Sequence, residues 1–435
     1  MPKTNPFRPN YPVNPAMFVG RLEESDRIEG HLLQTRGGNP TNFIITGERG
    51  IGKTSLLNYV KWAAQGAVQV SNEKLQFLVI DTDIDQSTTP VALIRKIELG
   101  LRSQLAKTEP SRKFIADAWA FLQGVEAGGI KLGAAASTPQ ETIFDEFCLS
   151  LAATVDRVTS QSEASSTFNA RYDGVFLLVD EADNCSKELG LGLFLKLLLE
   201  RLHRRGCHHF LVGLAGLDSL QTTLVQSHPS SLRMFESITL NRLSTSEVGQ
   251  AIDICLAKGK ETNGVETTIT KSARGILTNL SEGYPHFIQQ FGFSAFQADT
   301  DNEIDEADVA KGAFDQGGAL EQIGDRYYRN DFFNRIQKES YRQVLRIMAD
   351  KLDGWLTKKD IANRFKGSEA ILSNALKALR DRHIILSKPG EKGVYRLQHK
   401  GFAYWIKINN ASPADLFGDS VLGDAATTSA PDASA

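Results

Sequence analysis

Short apolar runs alternate with helical stripes through the first half of the chain. Phe43-Ile-Ile45, Leu75 to Asp83, Val175 to Val179, Phe210 to Leu214 and Ile238 to Leu243 each read as a strand. Between them lie stretches with apolar residues three and four apart. Leu22, Ile28 and Leu32 share one face of a helix that reaches about residues 31–34, and Leu56, Leu57 and Val60 mark a second. Pro90 opens a third with Val91, Leu93, Ile94, Ile97 and Leu101, where a missing N–H costs least. Further helices are predicted over 141–158, 189–203 and 217–225. The pattern weakens from Thr108 to Pro139, around the short apolar piece Ile130-Lys-Leu132, and Ser160 to Ala170 reads as a polar surface loop. Apolar strands alternating with helices predict an α/β fold, a parallel sheet covered on both faces.

After Leu243 the strands stop. Ser244-Thr-Ser-Glu247 has the spacing of a capping box and opens a helix with Val248, Ile252 and Cys255 on one side. Stripes over 269–280, 285–296 and 306–314 complete a small helical bundle. Gly317-Gly318 and the polar run through Asn330 read as a linker. Helices near 334–351, 357–364 and 368–382 then precede two short strands, Ile384 to Leu386 and Val394 to Leu397, about a Pro389-Gly390 turn. Three helices and a hairpin are the pattern of a winged helix-turn-helix. In its third helix Ile371, Leu376 and Leu379 should face inward and Lys377 and Arg380 outward. Five prolines in the first 15 residues predict an extended lead-in lying across a domain. From Ser412 the chain is poor in apolar residues and is expected to be disordered. The expected units are 1–17, 18–243, 244–320, 331–410 and a tail over 411–435.

Composition is that of an ordinary globular protein, with no apolar run near the roughly 20 residues of a membrane span and no apolar signal core at the N-terminus. Four scattered cysteines form no disulfide framework, so a reducing, cytoplasmic setting is expected. His203, Cys207, His208 and His209 lack a second cysteine pair and read better as a loop than as a metal site. The formal net charge of -3 conceals an asymmetry: residues 331–410 hold 17 Lys/Arg against 8 Asp/Glu, leaving the rest of the chain at -12. Such a split points to an anionic partner. Double-stranded DNA is one, with Lys377 and Arg380 on the third helix and Lys358, Lys359, Arg364, Lys366, Lys388, Lys392 and Arg396 near phosphates. The front of that helix, Ser368-Glu369-Ala370, is not basic, so a protein-contact face remains open.

One stretch carries chemistry. Gly47-Glu-Arg49-Gly50-Ile51-Gly52-Lys53-Thr54-Ser55 has the spacing Gly-x4-Gly-Lys-Thr between a buried strand and a helix start. The glycines allow consecutive N–H groups to face phosphate oxygens, and the helix adds its positive end. Lys53 would reach the β- and γ-phosphates of ATP, and Thr54 would bind Mg2+. Asp180 and Glu181 follow five apolar residues and so stand at a strand's carboxyl end. Asp180 is expected in the metal shell and Glu181 on the attacking water.

The order Phe18-Val-Gly-Arg21, Gly47 to Thr54, Val179-Asp-Glu-Ala-Asp183 and Gly283-Tyr-Pro-His286 resembles AAA+ ATPases of the replication-initiator-like and STAND (signal-transduction) subgroup over about residues 11–320. The resemblance implies a sheet of order 5-1-4-3-2 with a helical lid clamping adenine, Phe18, Val19 and Gly20 near the base, and Pro285 on the lid side. Relatives often carry a polar γ-phosphate sensor after the fourth strand; here only Asp218 and Ser219 follow it. His286 stands where many have arginine. Leu232-Arg-Met-Phe235 resembles the segment that gives an arginine finger to a neighbouring subunit, so Arg233 is either such a finger in a homo-oligomer or a surface arginine. Hydrolysis to ADP is therefore expected to be slow or partner-stimulated. Two functions follow from the resemblance: a nucleotide-dependent DNA-associated factor, or a switch controlling protein assembly with a separate effector polypeptide. A scaffold that binds ATP without hydrolysing it is a third.

Overall fold

Five strands build one sheet: β1 (Asn42–Thr46), β2 (Phe77–Asp83), β3 (Gly174–Asp180), β4 (Phe210–Gly216) and β5 (Phe235–Thr239). They lie in the order β2-β3-β4-β1-β5 and every neighbouring pair is parallel. This is the 5-1-4-3-2 order. The computed structural model describes residues 3–13, 17–123, 140–328, 338–351, 354–382, 384–388 and 390–410. Two units result, residues 12–241 and residues 3–11 with 242–410.

In the first unit β1 and β4 are buried throughout and β3 up to Asp180, as continuous apolar runs require of central parallel strands. The crossover helices are α1 (Leu22–Arg36), α2 (Lys53–Ala64), α3 (Pro90–Leu105), α4 (Glu109–Ala118), α5 (Gln140–Thr159), α6 (Ala164–Phe168), α7 (Leu191–Arg204) and α8 (Ser219–Ser227). Asn42 bridges two neighbours of β1, accepting the Val212 N–H at 2.8 Å and donating to the Met234 carbonyl at 3.2 Å.

Several expectations need correction. β5 begins at Phe235 and ends at Thr239, not Leu243. It is an edge strand in which only Ile238 is buried, so its apolar signal was a single residue. Leu22 is 76% exposed because the packed face of α1 runs through Ser25, Ile28, Leu32 and Thr35. The stretch after Thr108 holds α4, opened by a Thr108–Ser111 capping box and burying Ile115. The loop expected over 160–170 contains α6, which buries Ala164, Thr167 and Phe168. Ile130 to Leu132 lie outside the described residues.

The second unit begins with a helical bundle: α9 (Thr245–Asn263), α10 (Lys271–Ser281), α11 (Pro285–Ala298), α12 (Glu306–Phe314) and α13 (Ala319–Ile323). Strands do not stop at Leu243, since β6 (Thr268–Ile269) and β7 (Glu303–Ile304) pair in parallel. Nor are residues 319–328 a linker. Ala319, Leu320 and Ile323 are buried, and a π turn over Gly324–Tyr328 packs so closely on Trp405 that a Cβ at Gly324 would overlap the indole.

The winged helix comprises β8 (Leu356–Thr357), α14 (Glu339–Ala349), α15 (Lys358–Ala362), α16 (Glu369–Asp381), β9 (Ile385–Ser387) and β10 (Val394–Leu397), its strands in the antiparallel order β8-β10-β9. A final helix, α17 (Lys400–Asn410), buries Phe402, Ala403, Tyr404, Trp405 and Ile406. Such a consecutive apolar run has no 3.6-residue stripe to betray a helix. Ile371 is 45% exposed rather than inward; the packed face of α16 runs through Leu372, Ala375, Leu376 and Leu379.

Residues 3–10 form no helix and dock as a strap on the bundle. Thr4 and Asn263 exchange two hydrogen bonds, at 2.8 and 2.9 Å. Lys3 pairs with Asp299 at 3.0 Å, and the Arg8 N–H donates to Gln289 Oε1 at 2.7 Å. Pro6 lies against Gly259 and Phe7, 2% exposed, against Gly292, where a Cβ would run into its ring.

A second buried knot joins bundle to winged helix. Glu282, left-handed at the end of α10 (φ 50°), accepts the Lys400 N–H at 2.5 Å and Arg242 Nη1 at 3.1 Å. The Arg242 guanidinium lies 4.6 Å from the Tyr284 ring, and His399 packs edge-on against Tyr284 and Phe287. Burial pushes the His399 imidazole from 6.5 down to about 3, with Arg242 and Arg396 adding to the shift. The unfolded chain therefore takes up a proton near 6.5 that the folded chain refuses until about 3, and stability falls as pH drops through that window. Glu282, whose carboxyl burial raises, works in the opposite sense. Urea midpoints of wild type and His399→Gln should thus diverge between pH 6.5 and 3, with the variant less acid-sensitive; parallel curves would contradict this.

Candidate functional site

The turn between β1 and α2 is held open by three glycines in positive φ: Gly47 at 154°, Gly50 at 80° and Gly52 at 99°. Gly47 also has no room, because a Cβ there would meet the Leu240 carbonyl and Ile51 Cγ2 at 3.0 Å. Buried Ile51 anchors the loop, while Arg49 and Thr54 are exposed at its mouth. Arg21, itself left-handed (φ 63°) and 7% exposed, donates through Nη2 to the Ile51 carbonyl at 3.2 Å. Beside it Phe18 stacks on Tyr59 of α2, ring centroids 5.0 Å apart, and Val19 and Gly20 are half-buried. Thus the Phe-Val-Gly-Arg stretch braces the loop from outside, a role for Arg21 that spacing alone did not reveal.

Lys53 Nζ donates to the carbonyls of Gly47 and Glu48 at 2.8 and 2.9 Å. An ammonium has three N–H groups, so one direction is left for an anion. Burial lowers the Lys53 pKa, opposed by the carboxylates of Asp183, Asp180 and Asp218. Thr54 Oγ1 donates to Asp180 Oδ2 at 2.9 Å, joining the start of α2 to the end of β3. Glu181 follows, exposed and left-handed (φ 51°), its Oε2 accepting from Asn184 Nδ2 at 3.2 Å. The structure thus gathers Gly47, Gly50, Gly52, Lys53, Thr54, Ser55, Asp180 and Glu181 at one end of the sheet. A hydroxyl and a carboxylate in contact are oxygen groups of the kind a hard divalent cation takes.

Arg233 is exposed on the 3-10 turn Ser231–Met234 that precedes β5. Pro285 and His286 belong to the other unit, where they open α11, and the His286 ring lies 5.3 Å from that of Tyr327. On the winged helix Lys359, Lys377 and Lys392 are exposed. Lys358 pairs with Glu369 at 2.9 Å, Arg380 with Asp381 at 3.3 Å, and Arg364 with Asp350. Arg396 lies over the Trp355 ring at 5.0 Å. Much of the local positive charge is therefore engaged within the domain. Among the described residues no group of three or more His, Cys, Asp or Glu could hold a metal by itself, and no helix is long and apolar enough to cross a membrane.

The family profile described as "AAA ATPase domain" matches residues 17–212. The ORC2 protein of Aeropyrum pernix, solved in ADPNP–ADP complexes, has 14% identity and a TM-score of 0.52, covering 94% of this chain and 99% of that one. Its ADP form has 14% identity and a TM-score of 0.48, covering 95% and 98%. Cdc6p of Pyrobaculum aerophilum has 13% identity and a TM-score of 0.41, covering 93% and 96%. At 14% identity the likeness to ORC2 is one of fold. No curated protein matches the sequence.

The brace makes a prediction. Arg21→Ala removes the donor to the Ile51 carbonyl and should destabilise the first unit by about 1–3 kcal/mol, the cost of stranding a buried acceptor. A urea midpoint equal to wild type would show that the bond is dispensable.

Proposed function

Residues 17–212 belong to the AAA ATPase domain family, and from that premise we propose that the protein binds ATP with Mg2+ and hydrolyses it slowly, or at the prompting of a partner. The observation that carries this reading is the 2.9 Å contact of Thr54 with Asp180, next in sequence to a lysine already held by its own loop. Backbone amides from Gly47 to Thr54 would cradle the phosphates, Arg49, Ile51 and Ser55 lining the same turn. Lys53 would meet the β- and γ-phosphates with its remaining N–H. Thr54 and Asp180 would hold Mg2+, which supplies charge to the phosphate oxygens when bound. Glu181, projecting from its left-handed turn, would orient and polarise the attacking water. Phe18, Val19 and Gly20 would lie by the base. The ADPNP and ADP of the ORC2 complexes are ligands of the class this loop suits.

Turnover is proposed to be low because the end of β4 brings Gly216 and Leu217 rather than a polar side chain. Arg233, exposed before the edge strand, is free to serve as a finger only in a homo-oligomer.

For output we propose nucleotide-dependent association with double-stranded DNA, through Lys359, Lys377 and Lys392 with Arg380, Lys358 and Arg396 behind them. A second reading draws on the ion pairs of Lys358, Arg364 and Arg380. A basic face so far neutralised also suits protein contact, making the chain a nucleotide switch for a separate effector.

Lys53→Ala should weaken ATP binding roughly ten- to a hundredfold, the worth of a charge-assisted hydrogen bond, while Glu181→Gln keeps uptake and slows turnover by about a hundredfold or more. Fluorescent-nucleotide titration and phosphate release measure both, and equal ATP affinity in Lys53→Ala would sink the nucleotide reading. Lys377→Glu should lower duplex affinity and flatten its salt dependence by about one unit of slope. Indifference of duplex binding to that change would favour the protein-switch reading.

A further inference from the structure

A third carboxylate stands at the same end of the sheet. Asp183 lies on the 3-10 turn Ala182–Asn184 that follows β3 and is half-buried. Its Oδ1 accepts the backbone N–H of Leu217, the first residue beyond β4, at 2.9 Å. The paired ladder between these strands ends at Val179 and Leu214, so this bond ties the two chain paths together three to four residues farther out. Gly216 makes the approach possible. A Cβ at that position would stand 2.6 Å from Asp183 Oδ1 and 3.1 Å from the Asp183 nitrogen. The carboxylate therefore occupies the space that a side chain at the end of β4 would fill. It also leads the three carboxylates whose field favours the charged form of Lys53.

We propose that Asp183 is a positioning residue of the nucleotide site, fixing the turn Leu217 to Ser219 from the neighbouring strand. A carboxylate accepting a backbone N–H makes a charge-assisted bond, stronger and more directional than a neutral one. By holding the Leu217 amide it sets where Asp218 stands beside Lys53. Displacement of such groups by about 1 Å slows a reaction by roughly a hundredfold while leaving ground-state binding in place. The role lies in the geometry of the step after ATP is bound, and it rests on the nucleotide reading given above.

The test uses the full chain, with ATP affinity, single-turnover hydrolysis and melting temperature measured side by side. Asp183→Ala should slow hydrolysis about ten- to a hundredfold with ATP affinity held within about threefold. Asp183→Asn, which keeps an acceptor but not the charge, should fall between. The double variant Asp183→Ala with Gly216→Asn returns a polar side chain to the vacated space from the other strand and should recover much of the lost rate. A merely structural role would lower melting temperature and rate together and would not be rescued in rate by the second change. Wild-type turnover in Asp183→Ala, or a double variant that regains stability without rate, overturns the proposal. If wild type takes up ATP but no protein in the set hydrolyses it, the proposal falls and nucleotide binding stands. If wild type takes up no ATP, the nucleotide reading falls with it.

Discussion

The site depends on a buried central strand that carries small residues. β4 lies between β1 and β3, and Thr54 reaches Asp180 only by spanning its end. β4 reads Phe-Leu-Val-Gly-Leu-Ala-Gly, and its small residues are where its neighbours converge. A Cβ at Gly213 would stand 2.5 Å from the Phe43 ring and 3.0 Å from that of Phe176, and those two rings lie 5.9 Å apart over the gap. Glycine weakens a strand, and its presence inside one marks a close approach of other groups. Here the approach closes the core over the middle of β4.

Electrostatics follows from that closure. Lys53 is drawn out of water by the packing of its loop, which lowers its pKa, and three carboxylates at strand and turn ends offset part of that effect. A cation among acids, with two N–H groups on backbone carbonyls, is fixed by its own loop. Preorganisation of this kind spares a bound anion part of the cost of ordering its partners. It also explains why the site is drawn from so many elements: no single stretch supplies both charge signs.

The parts of the fold that were legible in sequence were those whose burial repeats. β1, β3 and β4 are buried on both faces and show as unbroken apolar runs, and the phosphate loop has a spacing no ordinary turn needs. The edge strand β5 was legible with shifted bounds and the satellite elements were not, for separate reasons. β5 buries one side chain, α6 is five residues long, and α17 is apolar on every side. The supposed linker after Gly318 is polar in composition yet seats three buried residues against an aromatic helix. At the site, Thr54 follows from the loop spacing, and Asp180 and Glu181 from strand-end logic. Arg21 and Asp183 act through backbone groups of Ile51 and Leu217, and backbone acceptors and donors leave no trace in side-chain patterns.

The strap on the helical bundle sets an order of events during synthesis. Its bonds join residues 259, 281 and 288 positions apart, so residues 3–8 must leave the ribosome long before α9 and α11 exist to receive them. Until then Phe7 has nowhere to be buried, and the intervening chain can complete its own sheet first. Contacts so distant carry a heavy loop-closure cost, and folding slows as they accumulate. The bundle is thus sealed from its far end, and a bulky fusion at the start of the chain would burden the last element to assemble.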